Sequence, residues 1–78
     1  MSRSNDIADS VRRAIERYFR DLDGEKPAGI YSMVLESVER SMLETVMQHA
    51  EGNQTIAADM LGINRNTLRR KLTDHSLL

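Results

Sequence analysis

Residues 52–72 read GNQTIAADMLGINRNTLRRKL, and this stretch decides the fold. Asn53 follows a glycine and can accept from a free amide of a helical first turn, so a short helix is predicted over Gln54 to Leu61. Gly62 then breaks the helix, Ile63 points inward, and Asn64 offers a second N-cap before a helix over Arg65 to about Thr73. Two capped short helices separated by a glycine make a helix-turn-helix candidate. The small Ala57 and Ala58 let the helices approach closely, and Gly62 permits the positive φ of a tight turn. Leu61, Ile63, Leu68 and Leu72 would hold the second helix to the core. Such spacing also arises by chance in helical proteins, but here it coincides with a block of cations.

The chain has 78 residues and a formal net charge of −1, which taken alone argues against nucleic acid as a partner. Its distribution reverses that inference. Residues 1–63 hold seven Lys/Arg and eleven Asp/Glu, whereas residues 64–78 hold Arg65, Arg69, Arg70 and Lys71 against Asp74 alone. With Leu68 and Leu72 on the buried side, Asn66, Arg69, Arg70 and Thr73 fall opposite, and Arg65 and Lys71 lie at the flanks. Guanidinium, amide and hydroxyl groups are the side chains that reach base edges and phosphates in a major groove. A solvated cationic face is the plainer alternative. Arg65 in a first turn opposes the helix dipole at a cost of a few tenths of a kcal/mol, a cost that phosphate would reverse. Double-stranded DNA is therefore the expected partner. In this motif the preceding helix directs its N-terminus at phosphate, which places Asn53, Gln54 and Thr55 near the backbone. Asn53 can also be a plain cap.

Upstream, strand signals are nearly absent and helical spacing recurs, so the fold class is all-α. Ile7, Val11, Ala14, Ile15, Tyr18, Phe19 and Leu22 form one stripe of a helix from about Asn5 to Asp21, stopped by Gly24 and a loop containing Pro27. A second helix is predicted from Ile30 to Ala50, ended by Gly52. Its apolar residues Val34, Leu35, Val38, Met42, Leu43, Val46, Met47 and Ala50 spread over roughly 220° of the circumference, where one-sided packing needs about 100°. That width implies cover on two sides, by the first helix and by a second subunit; burial by the terminal helices within a monomer is the competing explanation. Glu36, Arg40, Glu44 and Glu51 are expected in solvent. A chain this short buries only roughly 60% of its unfolded surface, and without disulfides it often needs a partner subunit.

The remaining patterns exclude more than they suggest. There is no cysteine, no serine-histidine-acid arrangement, no Gly-rich phosphate loop and no pair of ligands at metal spacing, since His49 and His75 stand far apart. Neither enzyme activity nor a cofactor or metal is expected. No apolar run approaches the roughly 20 residues of a membrane span, and the start MSRSNDIADS lacks the apolar core of a secretory signal, so a cytoplasmic protein without membrane contact is expected. Residues 1–9 are assigned to a flexible tail, 10–52 to dimerisation helices and 53–78 to the helix-turn-helix, all within one folded domain.

GNQTIAADMLGINRNTLRRKL, with VLESVERSMLETVMQHA before it and VRRAIERYF further upstream, strongly resembles the Fis family, the bacterial factor for inversion stimulation, from about Ser10 onward. The same module ends sigma-54-dependent activators, so a detached DNA-binding domain of such an activator is one alternative; a helical dimeric adaptor without DNA binding is another. The resemblance implies an intertwined four-helix homodimer, with two long dimerisation helices followed by the helix-turn-helix. It further implies a nucleoid-associated transcription regulator that binds and bends DNA, reading shape more than bases. By matching positions Asn64, Arg65, Thr67, Arg69, Arg70 and Lys71 would bind DNA, Arg65 making the main guanine contact, with Asn53, Gln54 and Thr55 on the backbone. RNA polymerase is a further candidate partner through residues such as Gly52 and Gln54. The family's N-terminal hairpin arm, which contacts the DNA invertase, has no counterpart in the sequence, so invertase is not an expected partner. Glu51, Ile56, Thr73 and Asp74 stand where well-known members carry basic residues, which implies less wrapping of flanking DNA and a shallower salt dependence.

Overall fold

The computed structural model describes residues 3–78, with side chains from Asp6 onward. Four helices follow one another: α1 (Arg3–Asp21), α2 (Ile30–His49), α3 (Gln54–Leu61) and α4 (Arg65–Asp74), with no strand among the described residues. The chain divides into two compact units, Met1–Val34 and Leu35–Leu78. The division falls within the stretch read as dimerisation helices. It lies inside α2, because the C-terminal part of that helix supplies core residues to the unit that holds α3 and α4.

In the first unit, α1 runs from Arg3, two residues before the start expected at about Asn5, and so takes in most of the stretch assigned to a tail; residues 1 and 2 lie outside the described residues. The physical reason is that nothing in this stretch breaks a helix. Asp6 complements the positive end of the dipole, and Asp9 accepts a 2.8 Å bond from Arg12 one turn on. Val11, Ile15, Tyr18 and Leu22 are half-buried along one stripe, whereas Ile7 and Phe19 are exposed. Helix α1 ends in a turn in which the Glu25 amide donates to the Leu22 carbonyl at 3.0 Å.

The second unit is built on Leu43, Ala50, Ala57, Ala58, Leu68 and Leu72, all buried, with Val46, Met47, Leu61, Ile63 and Leu77 packed against them. Burying each of the leucine side chains contributes about 2 kcal/mol. The broad apolar arc of α2 splits here. Leu43, Val46 and Met47 join this core together with Ala50 just past the helix end, whereas Leu35, Val38 and Met42 remain 49%, 41% and 45% exposed. The peptide leaves α2 through Glu51 at φ 53 and Gly52 at φ 80, and the Gly52 amide donates back to the Met47 carbonyl at 2.9 Å.

Candidate nucleic-acid interface

The geometry of the interface starts from its two caps. Asn53 has extended backbone and its Oδ1 accepts from the Ile56 amide at 3.1 Å, starting α3; Asn64 Oδ1 accepts from the Asn66 amide at 2.7 Å, starting α4. Between them Gly62 sits in the left-handed region at φ 74. Its amide and that of Ile63 both donate to the Ala58 carbonyl, at 2.9 and 3.1 Å, which satisfies the end of α3 and turns the chain sharply. Ala57 and Ala58 present almost no side chain, so α4 packs closely on α3 with Leu68 and Leu72 fully buried. Burial of these two leucines fixes the rotation of α4 and therefore which residues it shows to solvent.

The outward set is Arg65, Asn66, Arg69, Arg70 and Thr73, all exposed. Among the described residues neither Arg65, Arg69 nor Arg70 has an acidic partner within ion-pair distance. The three guanidinium groups thus remain available to an external anion or to a planar hydrogen-bond acceptor. Thr73 turns its hydroxyl back to the Arg69 carbonyl at 3.0 Å. Asn53, Thr55 and Asn64 are exposed, Gln54 and Thr67 half-buried. Both asparagines spend Oδ1 on capping and keep their amide NH₂ groups for donation.

Lys71 differs from its neighbours. Its Nζ donates to Glu39 Oε2 of α2 at 2.8 Å, while the other carboxylate oxygen of Glu39 lies 2.8 Å from His75 Nε2. The next residue of α2, Arg40, donates through Nη1 to the His75 carbonyl at 2.6 Å and has Glu44 at 3.8 Å. Arg40 and Glu44 are both exposed, as their position on the helix suggested, and Arg40 makes its bond to the His75 carbonyl at that surface. The bonds from Lys71 first, and then from His75, hold the Glu39 carboxyl below the usual glutamate range, outweighing the smaller opposing effect of burial. Sequence inspection singles out neither Glu39 nor Arg40 as part of this region. Their partners lie 32 to 36 residues away, and the only visible signal is the four-residue spacing of Lys71 and His75.

The description Bacterial regulatory protein, Fis family, matches residues 34–75. A putative Fis-like DNA-binding protein of Ralstonia nicotianae is 58% identical over 78 residues, covering 100% of both chains. This chain belongs to the Fis family. A putative Fis-like DNA-binding protein of Neisseria meningitidis serogroup A is 52% identical over 73 residues, 94% of this chain and 92% of that protein. The DNA-binding protein Fis of Glaesserella parasuis is 49% identical over 71 residues, 91% of this chain and 72% of that one. The Fis-family region contains both caps, the three unpaired arginines, Lys71 and the Glu39–Arg40 pair. No helix among the described residues is long and apolar enough to cross a membrane.

Proposed function

We propose that this chain is a DNA-binding and DNA-bending homodimer that acts without catalysis as a nucleoid-associated transcription regulator in the cytoplasm, with α4 as its recognition helix. The observation that carries the reading is the set of three exposed arginines without acidic partners on the outer side of α4, within the Fis-family region. Arg65 and Arg69 address guanine edges, Arg70 and Thr67 phosphate, and Asn64 a base or phosphate through its free amide. Asn53, Gln54 and Thr55, at the start of α3, approach the backbone. Support for the dimer comes from Leu35, Val38 and Met42, an apolar strip of α2 that the chain leaves open to water and that a second copy would cover. Two copies present two recognition helices, and each adds its own cations to the contact.

The test is a gel shift on an A/T-centred duplex combined with sedimentation. Replacing Arg65 and Arg69 with Ala should abolish the shift and leave the dimer intact. Unchanged binding would refute the assignment in favour of a helical adaptor.

A further inference from the structure

The contacts at the C-terminal end of α4 give α2 a role in recognition. The last turn of α4 places Lys71 and His75 on one side, four residues apart, and both meet the single carboxylate of Glu39, each at 2.8 Å. The His75 side chain is only 11% exposed, and Lys71 directly precedes fully buried Leu72. Arg40 adds a guanidinium bond to the carbonyl of the C-cap His75, at the negative end of the helix dipole, which favours a cation. The groups facing this cluster are of both signs: Glu36 and Asp74 line the same open groove as Arg40 and His75. Three bonds from two consecutive residues of α2 therefore fix one end of α4, while Leu68 and Leu72 fix its rotation.

We infer that Glu39 and Arg40 are positioning residues for DNA recognition: they lock the recognition helix onto α2, and Glu39 holds Lys71 as an internal brace instead of leaving it to DNA phosphate. The inference rests on the function proposed above. It changes what Lys71 does, because a lysine already neutralised by a carboxylate releases few counterions when DNA binds, whereas Arg69 and Arg70 start unpaired. It also makes the aim of α4 depend on a residue that touches no DNA.

Salt titrations of the full chain on an A/T-centred duplex, with a mixed-sequence duplex as reference, separate these roles. Arg70→Ala should flatten the slope of log K against log[salt] by about 0.9 for each phosphate that is no longer neutralised. Lys71→Met should leave the slope at the parental value. A Lys71→Met slope as flat as that of Arg70→Ala would make Lys71 a phosphate ligand and overturn the inference. Glu39→Gln should steepen the slope, because it frees Lys71, and lower the preference for the A/T-centred duplex about two- to tenfold, the range expected for one hydrogen bond. Adding Lys71→Met to Glu39→Gln should return the slope to parental, and Arg40→Ala should lower the preference at an unchanged slope. Parental slope and preference in Glu39→Gln would also overturn it. Where Glu39→Gln fails to fold, Lys71→Met still decides, since it keeps the Glu39–His75 contact. A parental chain that binds neither duplex removes the proposed function and this role together, whereas failure of the brace alone leaves parental binding intact.

Discussion

Asn64 caps a helix with one atom and keeps another free. Its Oδ1 closes the first turn of α4 while its NH₂ group stays free at the exposed end of the helix. Asn64→Ala should cost about 1 kcal/mol of stability, lowering Tm by about 4–8 °C in a domain of this size. Asn64→Asp keeps the acceptor and loses the donor, so it should melt like the parent yet bind DNA more weakly. Thermal melts paired with fluorescence anisotropy distinguish the two substitutions, and equal DNA affinity in the parent and Asn64→Asp would show that the Asn64 amide does not touch DNA. Glu39 makes a different prediction. Its carboxyl ionises below the usual glutamate range in the folded chain, so its stabilising contribution is complete above that range and is lost as pH falls through the folded value. Glu39→Gln should therefore have a lower urea midpoint than the parent at neutral pH and converge with it in acid. Parallel midpoint curves down to low pH would contradict the linkage.

At the scale of elements, the caps and the glycine turn were legible in the sequence to within one residue at each end of α3 and α4. The reason is that these boundaries are set locally, by a side-chain acceptor at Asn53 and Asn64 and by the left-handed backbone at Gly62. A Cβ at Gly62 would meet no neighbouring atom, so the cost of Gly62→Ala is conformational, about 1–2 kcal/mol at φ 74. Leu72→Ala should cost more, about 2–5 kcal/mol, because it opens a cavity between α4 and the rest of its unit. Urea melts measure both, and the order of the two losses is the informative result. The start of α1 was less legible. Neither Asp6 nor Asp9 signals a boundary by itself, and the helix continues back to Arg3 because no residue there stops it.

For the whole molecule, length and exposed apolar surface point the same way. Leu35, Val38 and Met42 form an open strip on α2, while Leu43, Val46 and Met47, toward the C-terminal end of the helix, join the core. In the proposed dimer, Val38→Glu should shift sedimentation to the monomer and weaken DNA binding, since two recognition helices would share one site. A dimer that persists in Val38→Glu would place the subunit contact elsewhere. The charge balance acts at this scale as well: a net of −1 hides an acidic body and a cationic C-terminal segment, and the proposed dimer would carry that segment twice.

By itself the sequence determined the all-α class, the boundaries of α3 and α4, the two caps and the set of cations on α4, because periodicity, capping and glycine backbone freedom act within a few residues. Only the tertiary structure decided which of those cations are free. Arg65, Arg69 and Arg70 face outward without acidic partners among the described residues, whereas Lys71 is taken up by Glu39, a carboxylate 32 residues earlier that packing of α4 on α2 brings within 2.8 Å. Helical spacing reports which way a side chain leaves its own helix. It carries no information about what the next helix places opposite.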